Sequence, residues 1–218
     1  MQDFVMPEAM TQRDIEQTIA NSVAAPGRAF ADSFDGVELH CTSGYLPAQV
    51  LSTGTNQRTD QYDASLQNRL RFVLELVAAI AAVDGADRLG ILTCPGNPFN
   101  DLADDNNQET FAAILQVLDP LGLAYLYVIR VPKIQDNVAL GKANFSGPLI
   151  LNESYNQQEA AAALVTPQIA GRSFGRAFIA NLDLVHRFRH ALPLSNIDPA
   201  TLYTFGAKGY CDYPVSLA

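Results

Sequence analysis

The sequence predicts an α/β fold built on a parallel sheet, because short strand-like runs alternate along the chain with longer stretches of helical periodicity. The run LAYLYVI (123–129) is apolar without interruption, as expected for a strand buried on both faces of its sheet. The chain has 218 residues, of which 48% are hydrophobic and 17% charged, enough for a sizeable core. We therefore expect one globular domain over residues 1–218.

Five strand-like runs define the expected sheet. They are GVELH (36–40), RLGILTC (88–94), LAYLYVI (123–129), PLILN (148–152) and IAGRSFG (169–175). Apolar or alanine-rich helical patterns between them predict helices near residues 68–83, 108–118 and 157–164. An opening helix is expected from about Thr11, a favourable N-cap, to Val23, because Pro26-Gly27 should end it.

Charge and cysteine content exclude several classes of protein. The net charge of −9 argues against a nucleic-acid-binding surface. Residues 1–110 hold six basic and sixteen acidic groups, whereas residues 111–218 hold eight and seven, so an anionic ligand is expected in the second half. Three widely spaced cysteines suggest no disulfide framework, and we find neither a membrane-length apolar run nor a basic signal region. We expect a cytoplasmic protein.

The carboxyl ends of the predicted strands are the places to look for chemistry, since parallel α/β folds carry their sites there. His40 ends the first strand and Tyr45 follows five residues later, so an imidazole donor and a phenolic proton source can converge on one ligand. The spacing of His40 and Tyr45 alone favours the other interpretation, in which both are packed loop residues that bind no ligand. His186 and His190 lie four apart, but no third ligand joins them, so we expect a solvated helix face and no metal.

Three longer strings resemble the old yellow enzyme family of FMN-dependent ene-reductases, of the N-ethylmaleimide reductase and 12-oxophytodienoate reductase type. They are FDGVELHCTSGYLPAQVLSTGTNQRTDQYDASLQNRLRFVLELV (34–77), GRAFIANLDLVHRF (175–188) and LYTFGAKGYCDYP (202–214). The resemblance implies an NAD(P)H-dependent flavoprotein that reduces the activated C=C bond of small enones or nitro compounds. It implies non-covalently bound FMN.

The resemblance also implies roles for individual residues. His40 and Ser43 match the family's two substrate-binding positions, and Ser43 stands where an Asn or His is usual. Tyr45 matches the proton donor, and Tyr203 matches an aromatic beside the substrate pocket.

Four further positions correspond to the family's cofactor site. Arg176, with Gly175 beside it, matches the arginine that binds the FMN phosphate. Ser154 follows Glu153 where the family has two glycines at that phosphate, and Leu92 replaces an arginine at the flavin pyrimidine edge.

The family fold is a (β/α)8 TIM barrel, and the motifs align with its last five βα units. We therefore expect an incomplete barrel without counterparts of the first three units. Two alternatives to an ene-reductase stay open. One is a truncated or degenerate non-enzymatic paralogue that binds FMN poorly, and the other is one half of a split enzyme whose missing strands come from a second chain.

Overall fold

A computed structural model describes residues 7–63, 65–153 and 155–216 and contains a five-stranded sheet. All neighbouring strands are parallel, and their order in the sheet is their order in the chain. The strands are β1 (Val37–Cys41), β2 (Leu89–Thr93), β3 (Tyr125–Ile129), β4 (Leu149–Asn152) and β5 (Ile169–Arg172). The five predicted strands are confirmed, with β5 ending three residues earlier than expected.

Helices follow every strand, as a parallel sheet requires. In the described ranges they are α1 (Gln12–Ala31), α2 (Leu46–Leu51), α3 (Leu66–Asp84), α4 (Asn107–Leu118), α5 (Asn137–Asn144), α6 (Gln157–Ala163), α7 (Arg176–Ala180) and α8 (Leu184–His190). The sequence did not predict α2, α5 and α7, which are short and lack the apolar or alanine-rich helical patterns of the predicted helices. No helix in the described part of the chain is long and apolar enough to cross a membrane.

The main core lies between the sheet and α3, α4 and α5. Ile91, Val128 and Leu151 project from the strands towards this side and are at most 1% exposed. The expectation of a sheet buried on both faces is wrong for β3. There Leu126 and Val128 are buried but the intervening side chains are only half-buried, because they point to the opposite face. We call that opposite face the inner face.

The expected end of the first helix near Val23 is also wrong, since α1 continues through Pro26 to Ala31. Proline removes one main-chain hydrogen bond, but here its ring is buried and the last turn is held by tertiary contacts. The Arg88 guanidinium lies 4.0 Å from the centre of the Phe30 ring, and its Nη2 donates to the Phe34 carbonyl at 2.8 Å. Thr11 caps the helix as expected, in a capping box with Asp14.

Gly90 allows an unusual contact across the inner face. The Tyr125 ring crosses β2 above Gly90, and its hydroxyl bonds the Glu38 carboxyl group on β1. Desolvation raises the pKa of Glu38, and desolvation together with Glu38 raises the pKa of Tyr125 to about 12. A Cβ atom at position 90 would lie 2.3 Å from Tyr125 Cζ, so only glycine fits.

We expect Gly90→Ala to lower the free energy of unfolding by about 1–3 kcal/mol, because the added methyl group overpacks the space filled by Tyr125. Urea denaturation measures this. The control is Gly27→Ala inside α1, where no atom lies within 4 Å of the added Cβ and a gain of about 0.5–1 kcal/mol is expected. Equal stabilities of Gly90→Ala and the wild type would contradict the packing described.

Candidate functional site

The strand register lines up a row of side chains on the inner face. His40 pairs with Leu92, Leu92 with Tyr127, and Tyr127 with Ile150, so the row crosses four strands. It lies near the carboxyl ends of the strands, where the sequence predicted a site. Leu92, in the middle of the row, is 8% exposed. The structure therefore places an aliphatic side chain between His40 and Tyr127.

A tight turn after β1 brings Tyr45 back to His40. Ser43 and Gly44 both have positive φ, at 57° and 77°, and the Tyr45 amide donates to the Thr42 carbonyl at 3.1 Å. The His40 and Tyr45 rings meet edge to face with their centres 4.6 Å apart. The structure thus confirms that these two side chains come together, and Tyr45 stays 60% exposed and accessible to a ligand.

The surroundings of His40 favour its neutral form. Partial desolvation lowers the pKa of His40 below its ordinary value of 6.5. At neutral pH the imidazole is therefore uncharged and has one N–H donor and one acceptor nitrogen. Such a group can donate a hydrogen bond to a carbonyl or nitro oxygen without introducing a charge.

Ser43 is held by two asparagines that sequence reasoning missed. Asn97 Nδ2 approaches the Ser43 hydroxyl at 3.4 Å, and Asn100 Nδ2 donates to the Ser43 carbonyl at 2.8 Å. Asn97 follows the Pro95-Gly96 turn at the end of β2, where a site was expected, but no spacing in the sequence marked it. These contacts fix the turn that carries Tyr45.

A basic cluster, consisting of Arg130, Arg172 and Arg176, lies at the carboxyl ends of β3 and β5. Arg130 and Arg172 stack on the Tyr155 ring, with their guanidinium carbons 3.5 and 4.8 Å from its centre. Burial and the neighbouring Arg130 lower the pKa of Arg172. Arg172 Nε and Nη2 are buried and have no hydrogen-bond partner among the described residues. A group of basic side chains therefore lies in the second half of the chain, where an anionic ligand was expected, although only Arg176 was identified from sequence.

Glu153 connects two members of the basic cluster. Its carboxylate forms an ion pair with Arg176, and its main-chain carbonyl accepts a hydrogen bond from Arg130 Nε at 3.2 Å. Glu153 directly follows β4 and has a φ of 68°, the left-handed region that favours glycine. Arg176 therefore already has an anionic partner supplied by the chain.

A hydrogen-bond network joins the sheet row to the carboxyl ends of β4 and β5. The Tyr127 hydroxyl bonds the Ser173 hydroxyl, and Asn152 Nδ2 donates to the Ser173 hydroxyl and carbonyl oxygens at 2.7 and 2.9 Å. The ends of β3, β4 and β5 are thus joined by polar side chains. Sequence analysis did not single out these three residues.

Three predicted site residues remain, namely Gly175, Tyr203 and Ser154. Gly175 has open space where a side chain would lie, with no atom within 4 Å. Tyr203 lies near the carboxyl end of the chain with 95% of its surface exposed, and among the described residues nothing hydrogen-bonds to its hydroxyl. Ser154 lies outside the described residues.

Comparison with known proteins decides the family. The model of the NADH:flavin oxidoreductase / NADH oxidase family matches residues 1–195. The chain belongs to this family. The probable flavin mononucleotide-dependent alkene reductase of Leishmania infantum is 37% identical over 216 residues, covering 98% of this chain and 59% of the relative. The predicted kinship with old yellow enzymes is confirmed.

Two solved structures of the family show the same fold. The old yellow enzyme from Trypanosoma cruzi superposes with a TM-score of 0.91 at 31% identity, covering 98% of this chain and 59% of that one. Morphinone reductase in complex with tetrahydroNAD gives a TM-score of 0.87 at 38% identity, covering 96% and 58%. The chain thus spans about 60% of the length of its relatives. Its five parallel strands correspond to part of their TIM barrel, which confirms the predicted fold class.

The electrostatics of His40 can be tested directly. We expect its pKa, measured by NMR titration of the imidazole protons, to lie below 6.5 because the charged form is desolvated. Tyr45→Ala removes a ring that lies against the imidazole and should raise the pKa towards 6.5. A depressed histidine pKa makes the free energy of unfolding fall as the pH drops below 6.5. A His40 pKa above 6.5 in the wild type would contradict this account.

Proposed function

We propose that the chain carries the substrate site of an FMN-dependent ene-reductase that uses NAD(P)H to reduce activated alkenes. The observation that supports this most strongly is the His40–Tyr45 pair, in which a neutral imidazole and an exposed phenol lie 4.6 Å apart, ring centre to ring centre. Family membership supplies the reaction class. Substrates of this class are enones and nitroalkenes, which carry a carbonyl or nitro group conjugated to the C=C bond.

The two side chains divide the chemistry between them. The His40 N–H donates a hydrogen bond to the carbonyl or nitro oxygen and stabilises the negative charge that builds there as hydride reaches the β-carbon. The Tyr45 hydroxyl then delivers a proton to the α-carbon. Ser43 is proposed as a second donor to the substrate oxygen, and Tyr203 as an aromatic wall of the pocket.

The residues at the strand ends fit FMN. Arg176 offers a forked guanidinium for the phosphate, and the open space at Gly175 leaves its backbone accessible. Ser154 would lie beside that phosphate by its position in the chain. Leu92 would contact the flavin with an apolar side chain. Bound FMN would supply hydride obtained from NAD(P)H.

The second candidate is a non-catalytic member of the family that binds FMN weakly. Two observations favour it, namely the ion pair that already engages Arg176 and the apolar Leu92 in the middle of the row. An arginine at position 92 would stabilise the negative charge of reduced FMN, and its replacement by Leu92 corresponds to a loss of about 1.5–3 kcal/mol of that stabilisation.

We also propose a cytoplasmic location, since Cys41, Cys94 and Cys211 are free thiols.

The ene-reductase proposal predicts a selective effect of Tyr45→Phe. We expect alkene reduction to slow by about 10²–10⁴-fold, because the proton donor is lost, whereas NADPH oxidation in the flavin-reduction step should be unchanged. Stopped-flow measurement of each half-reaction, with 2-cyclohexenone as the alkene, separates these effects.

The control for this experiment is Tyr210→Phe, which removes a hydroxyl from a tyrosine 77% exposed in the last segment of the chain. It should leave both half-reactions unchanged. Equal loss of both steps in Tyr45→Phe would contradict the role of Tyr45. A wild-type protein that shows no NADPH oxidation with FMN and 2-cyclohexenone would favour the non-catalytic candidate.

A further inference from the structure

We propose that the Glu153 carboxylate competes with the flavin phosphate for the Arg176 guanidinium. The site therefore discriminates little between phosphorylated and unphosphorylated flavin. The proposal rests on the proposed function, because it takes Arg176 as the residue that meets the FMN phosphate. It goes further by assigning a role in ligand selection to an acidic residue of this chain.

The fold brings the two side chains together. Glu153 immediately follows β4, and Arg176 begins α7, with three residues between it and the end of β5. The strands β4 and β5 are neighbours in the sheet, so their carboxyl ends lie side by side. There the Glu153 carboxylate contacts the Arg176 guanidinium as a salt bridge. An anion approaching Arg176 therefore meets a carboxylate already bound to it.

The backbone holds Glu153 in this place. Its φ of 68° lies in a region that residues with a Cβ rarely adopt, so the surrounding structure must maintain it. One such contact is the hydrogen bond from Arg130 Nε to the Glu153 carbonyl oxygen. Because the main chain is fixed there, a displaced carboxylate stays near Arg176.

The exposure of the pair determines how the competition works. The Arg176 and Glu153 side chains are 60% and 36% exposed, and ion pairs this open to water are weak. A phosphate dianion can therefore displace the carboxylate, but the two negative charges then remain within a few ångströms of each other and repel. Arg130 and Arg172 are two further cations at these strand ends, and their positive charges reduce this repulsion.

The consequence is specific to the phosphate. FMN and riboflavin share the isoalloxazine ring and the ribityl chain, and only FMN carries the charge that Glu153 opposes. Removal of the carboxylate should thus strengthen FMN binding and leave riboflavin binding unchanged. A role of Glu153 in folding alone would affect both flavins equally.

The experiment measures dissociation constants for FMN and riboflavin by quenching of flavin fluorescence, using the full chain. We expect Glu153→Gln to bind FMN about tenfold more tightly than the wild type, with riboflavin affinity changed by less than about twofold. Glu153→Gly, which also suits the positive φ, should show at least the same gain. The control is Glu109→Gln, which removes an exposed charge in the first turn of α4 and should change neither constant.

Each other outcome contradicts the proposal. No gain in either variant, including no measurable FMN binding, means that Glu153 does not oppose the phosphate. A gain in Glu153→Gly alone means that side-chain bulk or backbone strain, and not charge, is responsible. Equal gains for FMN and riboflavin mean a general effect on the pocket. Binding is measured without NADPH or alkene, so a failure of the ene-reductase proposal alone would leave the selective gain for FMN intact.

Discussion

The parallel register of the sheet is the constraint on which the site depends. A slip of one residue would turn every side chain of a strand to the other face. The core prevents this slip, because Ile91, Val128 and Leu151 are buried against the helices on one side only. His40, Leu92 and Tyr127 are thereby held on the inner face. Apolar packing on one side thus determines the position of the chemical groups on the other.

The carboxyl ends of the strands then separate two kinds of chemistry. Around β1 and β2 the groups are neutral, consisting of a desolvated imidazole, a phenol and the asparagines that fix the turn. Around β3, β4 and β5 they are charged, with three arginines and Glu153. This separation suits a ligand with a conjugated, uncharged end and an anionic end. The bonds of Ser173 to Tyr127 and Asn152 join the strands in the charged region.

The strands, the longer helices and the His40–Tyr45 pair could be predicted from sequence because they depend on local periodicity and on a motif of consecutive residues. The course of α1 through Pro26 could not, since it depends on Arg88, which is distant in sequence. Arg130 and Arg172 were missed for the same reason, because they become a cluster only when β3 and β5 lie in one sheet. The departure at Glu153 was visible in the motif, but its contact with Arg176 required the fold.

The central proposal is that one FMN molecule lies across the charged strand ends and also reaches the neutral strand ends, next to the His40 and Tyr45 side chains that would bind the alkene. It is tested most directly by titrating FMN into the ¹⁵N-labelled protein and recording which backbone amide signals shift. The account predicts shifts in the amide signals of residues 40–45, 92–94, 96–97 and 173–176, which lie at the carboxyl ends of β1, β2 and β5. Shifts confined to the amino ends of the strands, near Val37, Leu89 and Tyr125, would contradict it, as would the absence of any shift.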